Sequence, residues 1–241
     1  MKFGSYLLTK DKIIKISGRL AIFVACLLLV IFNKSGLNNF FTARILGVEL
    51  FKWIWFAFII WLVGRLLPKK NEKMASGKRW KRNFSRESVD KKNIMVIARQ
   101  TTLRAYKSQW LYLLFLFGFY FAYFIFQLNI WLVIVFTLAA AVLDAWCVSI
   151  WCPFRSWLIR NKCCNNCRIF NWGYIMVSLP LLVIPSFWTY SIVFVALLIF
   201  IQWEYLHFKH PERFYEISNR NLRCSNCPGR TGFCRKVDVS K

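Results

Sequence analysis

Residues 110–126 read WLYLLFLFGFYFAYFIF, and after the three residues QLN a second apolar run begins at Ile130 and ends at Trp151. Each is long enough to cross the roughly 30 Å hydrocarbon core of a bilayer as an α-helix, which takes about 20 residues. A barrel strand alternates apolar and polar with period two, whereas these runs are apolar on every face. The pair therefore predicts a tight transmembrane helical hairpin.

Four further runs extend the pattern. Residues 16–32 and 45–67 make a first pair, with Arg19 inside the first run and Glu49, Lys52 and Arg65 toward the ends of the second. Residues 173–187 and 188–206 make a third pair, broken at Pro180 and Pro185 because proline removes a helix hydrogen bond and clashes with the preceding turn. The expected fold class is all-α, a polytopic helical membrane protein of about six transmembrane helices arranged as three hairpins with cytoplasmic Cys-rich segments. Composition agrees: at 58% hydrophobic and 19% aromatic residues, a 241-residue chain holds more apolar surface than a water-soluble domain of this size hides. The first run is followed by NKSGLNNFFTAR, without a small-residue cleavage pattern, so it is expected to stay as an anchor.

The formal net charge is +24, from 34 Lys and Arg against 10 Asp and Glu. With six spans, 30 of the basic residues fall on one side, only Lys34 and Arg44 on the other, and Lys52 and Arg65 within the second span. The excess of basic residues in cytoplasmic loops then places both chain ends, and every cysteine outside the spans, in the cytoplasm. The organisation reads as residues 1–67, an N-terminal tail and first hairpin; 68–109, a basic loop with an interfacial helix; 110–172, the second hairpin and a first cysteine knot; and 173–241, the third hairpin and a C-terminal knot.

Of nine cysteines, Cys26 and Cys147 lie in apolar runs and read as small buried hydrophobes. The other seven cluster as Cys152, Cys163, Cys164 and Cys167 after the fourth span and Cys224, Cys227 and Cys234 after the sixth. Disulfides are disfavoured in a reducing cytoplasm, so such clusters point to metal or redox chemistry. Cys164 with Cys167 and Cys224 with Cys227 are C-x2-C pairs, and two such loops together supply the four thiolates of a tetrahedral site. Those four are the central expected ligands, with Cys152, Cys163 and Cys234 in reserve. Zinc is the ordinary occupant; an iron–sulfur cluster is the alternative, since Cys152 and Cys227 precede proline as in bacterial ferredoxin runs, although the compact C-x2-C-x2-C spacing is missing. The recurrence of C-P-x-R after two hairpins hints at an internal duplication that the rest of the two halves does not repeat.

Other polar groups are few. Asp144, inside the fourth span, is costly there and marks a functional position, as a partner for Arg or Lys or as outer support for the metal site. Glu204 and His207 have the spacing of a di-iron Glu-x-x-His element, but no second element exists, so His207 and His210 read as polar caps of a helix leaving the membrane before Pro211. The loop KKNEKMASGKRWKRNFSRESVDKK has charge without a core pattern and reads as disordered or a surface segment. Lys69, Lys70, Lys78, Arg79, Lys81, Arg82, Arg99 and Arg104 are expected to face anionic lipid headgroups, a simpler partner than nucleic acid because no recognition fold accompanies the charge. P-loop, G-x-G-x-x-G, H-E-x-x-H and G-x-S-x-G motifs are all missing, so no small-molecule substrate is assignable and the sequence does not decide whether the chain is an enzyme. Three classes remain: a scaffold or interaction protein organised by structural zinc, a redox protein with an iron–sulfur centre, and an enzyme or transporter using Asp144, Glu204 and His207.

Overall fold

The computed structural model describes residues 10–68, 72–161 and 163–226. Its elements are α1 (Lys10–Phe32), α2 (Lys34–Thr42), a small hairpin of β1 (Arg44–Ile45) and β2 (Val48–Glu49), α3 (Leu50–Leu66), α4 (Lys91–Ile125), α5 (Ile130–Ser149), α6 (Trp172–Ser178) and α7 (Phe187–Lys209). Four helical segments, Ile13–Phe32, Lys91–Ile125, Ile130–Ser149 and Phe187–Lys209, are long and apolar enough to cross a membrane. With Leu114, Phe117 and Phe194 at 60% exposure or more on these helices, the outer surface suits lipid rather than water. The protein is therefore a predominantly helical membrane protein.

Helix starts follow the local chemistry. Asp90, Asn129 and Ser186 each accept a hydrogen bond from the backbone N–H two residues on, capping α4, α5 and α7. Between α4 and α5, Gln127 takes a positive φ of 47°, which turns the chain back within the four-residue link. Phe119 and Phe136 then stack across it at 4.1 Å.

Three runs differ from the lengths read in the sequence. Residues 45–67 spend their beginning on the β-hairpin, where Leu46 and Gly47 at positive φ form the tight turn, and helix α3 is 17 residues long. Residues 173–187 are α-helical only to Ser178; Pro180 then favours a 3-10 stretch over Leu179–Val183. Conversely, the interfacial helix expected before Trp110 is not separate. With no Pro or Gly between Lys91 and Phe117, it continues into the apolar run of residues 110–126 as one 35-residue helix, α4.

Packing joins elements remote in sequence. The most extensive helix contact is α1 on α5, antiparallel, with Arg19 beside Asp144 at one end, while at the other Phe41 of α2 stacks on Trp131. Helix α3 lies along α7, where the Trp55 indole donates to the Trp188 carbonyl at 3.0 Å and Gln202 donates to the Leu66 carbonyl at 3.3 Å. Helix α6 folds back on α7 and also touches α5.

The basic loop is not disordered where it is described. Its turns Ala75–Arg79 and Lys81–Asn83 are wedged under the bundle, and Asn83 ties them by donating to the Glu72 and Gly77 carbonyls at 2.8 and 2.9 Å. Gly77 is required there, since a Cβ would stand 1.5 Å from the Glu72 carbonyl oxygen. Lys78 and Arg79, expected on the lipid-facing surface, are 0% and 1% exposed. Their charges are met from inside: the Lys78 ammonium donates to the Cys167 carbonyl at 2.8 Å, and Arg79 donates to the Arg65 carbonyl that ends α3. Lys81, Arg82 and Arg99 are exposed and Arg104 is half-buried, while Lys69 and Lys70 lie outside the described residues.

Candidate functional site

The first cysteine knot is built where α5 ends. Cys147 occupies its last turn; the chain leaves through Cys152 and Pro153, makes a π turn over Phe154–Ile159, and reverses at Arg160, which has a left-handed φ of 56°. This reversal brings Cys163, Cys164 and Cys167 back under the helix. The C-x2-C turn is closed by the Cys167 N–H donating to the Cys164 carbonyl at 2.9 Å.

The thiols converge on one sulfur. The Cys152 sulfur accepts from the Arg155 N–H at 3.4 Å, and the neighbouring Cys147 and Cys164 thiols add to its stabilisation as donors. These donors favour the thiolate and hold the Cys152 pKa well below the ordinary thiol range, against the opposing effect of burial. Cys164 moves the other way because its proton is engaged by Cys152, and its Sγ also lies 3.1 Å from the Cys147 carbonyl. Burial raises Cys167 to about 11, a shift opposed by the adjacent Ile169 N–H and the Lys78 charge. Lys78 is itself lowered to about 7 by burial, and lies 5.2 Å from the Trp203 ring centre and 5.7 Å from that of Phe214.

Below the thiols is a hydrogen-bonded base. Arg168, 3% exposed, makes a two-pronged ion pair with Glu204, and the Trp172 indole donates to the same carboxylate at 2.7 Å. The Arg168 carbonyl accepts from the Trp203 indole at 2.8 Å. His207 is bonded to the Tyr215 hydroxyl at 2.8 Å, and that hydroxyl to Thr101 of α4 at 2.7 Å. His207 is thus a buried link rather than an exposed cap, Glu204 is committed to Arg168, and His210 pairs with Glu212 at 3.2 Å. The three do not form a metal-binding group with Asp144, which pairs with Arg19 at 3.3 Å.

The second knot approaches the first. Asn166, inside the first C-x2-C, donates to the Leu222 carbonyl at 2.8 Å, two residues before Cys224. Cys224–Asn226 is a 3-10 turn like Cys164–Asn166. Cys227 and Cys234 lie outside the described residues. Among the described residues no group of three or more His, Cys, Asp or Glu is placed to hold a metal ion, so a complete site depends on ligands beyond them or on a shift of the thiols.

Two cavities adjoin Asp144. One, of about 260 Å³, has Phe115, Phe136, Ala140 and Leu143 among its apolar walls and Cys147, Cys152, Cys164 and Cys167 at its end; the other, of about 300 Å³, contains Arg19. Gly173 permits this arrangement, because a Cβ there would stand 2.3 Å from an Asp144 carboxylate oxygen.

Sequence reasoning read Cys147 as a small buried hydrophobe and Lys78 as a lipid-facing cation, and it did not foresee the Arg168–Glu204 ion pair. Cys147 had a signal in its five-residue separation from Cys152 across a helix end; the two cations had none beyond a general excess of charge. In comparisons with protein-family models, curated proteins and solved structures, nothing matches the chain.

Proposed function

We propose that this protein is a six-span membrane scaffold or interaction protein whose cytoplasmic face is organised by a cysteine-ligated zinc site joining the second and third hairpins. The observation that carries the reading is the Asn166 to Leu222 hydrogen bond, which brings the segments bearing the two C-x2-C pairs together. Cys164, Cys167, Cys224 and Cys227 are the proposed ligands, and Lys78 and the nearby arginines offset the charge of four thiolates. Zinc would hold the knots together as a closed structural site. The test is elemental analysis with an absorption spectrum on anaerobically purified protein: one zinc per chain and no visible band supports the reading, while iron with a visible band that bleaches on reduction replaces it with an electron carrier.

Six crossings are compatible with the short elements. At 1.5 Å per α residue, the 17 residues of α3 span about 25 Å. Seven α residues and five 3-10 residues in Trp172–Val183 span about 20 Å, and the following three residues add roughly 10 Å if extended. Both lengths approach the roughly 30 Å bilayer core. Reporter fusions at residues 70 and 160 and at the carboxyl end are expected to report the cytoplasm, as the 30-to-2 division of basic residues requires. An external result at any of the three overturns the six-span arrangement.

Lipid contact falls to Lys81, Arg82 and Arg99, with Arg104 at the margin. Each basic residue near an anionic surface contributes about 1 kcal/mol before screening. Replacing Lys81, Arg82 and Arg99 together by Gln in the full chain is expected to reduce co-purified phosphatidylglycerol and the salt dependence of its release. Unchanged retention would remove anionic lipid as a partner of this surface.

A further inference from the structure

The cavity of about 300 Å³ that contains Arg19 opens sideways toward lipid. Helix α1 packs on α5 and α3 on α7, and the mouth lies between α1 and α3, where the lining residues Ile22 and Phe58 are 60% and 41% exposed. Arg19 stands six residues inside the membrane-length segment that begins at Ile13, about 9 Å along the helix. Away from this charged end the cavity follows α5 back to Thr137, seven residues before Asp144 and about 10 Å farther on, between the apolar Leu138 and Leu181. Its polar end is thus near one bilayer surface, and its apolar body runs toward the middle.

Arg19 has hydrogen-bonding capacity to spare. A guanidinium carries five N–H groups, and here Nη1 donates to the Ala141 carbonyl at 2.8 Å and to Asp144 Oδ2 at 3.3 Å. Among the described residues Nε and Nη2 have no partner, and 38% of the side chain is exposed at a depth where lipid supplies no acceptors. The edge formed by Nε and Nη2 presents two parallel N–H groups, the shape that a two-oxygen anion accepts. The Tyr174 hydroxyl, on the same cavity, likewise makes no hydrogen bond among the described residues.

We infer that this cavity binds a single-chain fatty acid, its carboxylate on the open edge of Arg19 and its acyl chain along α5, an assignment that rests on the membrane reading and not on the zinc site. The volume lies at the roughly 300 Å³ lower bound of ordinary ligand pockets, which takes one chain rather than two. A phospholipid phosphate stays in the headgroup region outside the hydrocarbon core, whereas a carboxylate joined directly to its chain reaches the depth of Arg19. Arg19 is the one basic residue lining the cavity among the described residues, so it matches a single negative charge. Asp144 neutralises the guanidinium in the empty cavity and, as a second carboxylate beside it, competes with the ligand. None of the proposed zinc ligands, and none of Lys81, Arg82 and Arg99, lines this space.

The experiment titrates the full chain in phosphatidylcholine nanodiscs with radiolabelled palmitate, at alkaline pH where the fatty acid is ionised, and subtracts the partition into empty discs. One saturable palmitate per chain is the expected result. Hexadecanol, with the same chain length and no charge, should compete about tenfold more weakly or worse, and phosphatidylglycerol added to the discs should not compete. Arg19→Gln should weaken binding about tenfold or more, as should Arg19→Gln combined with Asp144→Asn, which leaves no carboxylate unpaired if the single variant does not fold. Asp144→Asn alone should tighten binding about tenfold, because the competing carboxylate is gone. Ala141→Phe, which fills this cavity, should weaken binding about tenfold or more, while Ala140→Phe, which puts the same bulk into the neighbouring cavity, leaves it unchanged. Unfolding temperature and zinc content are measured on every variant. Cys227→Ser should lower zinc and keep palmitate binding, so the two readings fail separately. No saturable binding, equal competition by hexadecanol, competition by phosphatidylglycerol, or unchanged binding without Arg19 would overturn the inference. So would no gain in Asp144→Asn, equal losses from the two alanine variants, or palmitate binding that falls with zinc in Cys227→Ser.

Discussion

Glu204→Leu is expected to destabilise the protein by about 3 kcal/mol, because it leaves the Arg168 guanidinium buried without its counter-charge. Arg168 is 3% exposed, and Glu204 supplies both prongs of its ion pair and the acceptor for the Trp172 indole. At this chain length such a loss corresponds to a drop of about 6 to 12 °C in the unfolding midpoint. Glu204→Gln keeps an acceptor for the indole and should lose less. The double variant Arg168→Met with Glu204→Leu should recover much of the loss, since replacing a buried pair with apolar side chains is often neutral or better. Thermal unfolding of the four proteins in one detergent decides it. Equal losses in Glu204→Leu and the double variant would mean that the carboxylate matters for something other than neutralising Arg168.

Cys167→Ser and Cys227→Ser should each cost most of the bound zinc and lower the unfolding midpoint, while the double variant should lose little more. Members of one coordination site are not additive, because removing any one ligand already undoes the closed tetrahedron. Binding requires deprotonated thiols, so zinc occupancy should also fall on acidification, and chelation should lower the midpoint of the unsubstituted protein toward that of the variants. The supporting geometry is that Asn166 reaches Leu222 while Cys167 is buried beside the Lys78 ammonium. Full zinc content in either single variant would remove the shared site, and additive losses of stability would mean two independent ones.

The sequence alone was sufficient wherever the controlling interaction is local or is with the solvent. The runs at residues 110–126 and 130–151 form α4 and α5 because lipid offers no partners for the backbone and a helix satisfies its own. The helix starts found at Asn129 and Ser186 are equally local, since each cap bonds the N–H two residues on. Pro180, read as a helix break, ends the α-helix for the same local reason, although the 3-10 stretch that follows was not foreseen. What the sequence could not specify is which apolar helices adjoin: to lipid-soluble faces α1, α3, α5 and α7 are nearly equivalent, and the choice of α1 for α5 and α3 for α7 is made by side-chain fit and by polar contacts such as Arg19 with Asp144 and Trp55 with Ser191. The same holds at the base of the bundle. Lys78 looks like any cation of a basic loop until a fold places the Cys167 carbonyl and two aromatic rings around it, and Cys147 looks like a core residue until the Arg160 reversal brings Cys164 beneath it. Burial of a charge or convergence of thiols depends on groups tens of residues away, so only the tertiary structure decided it.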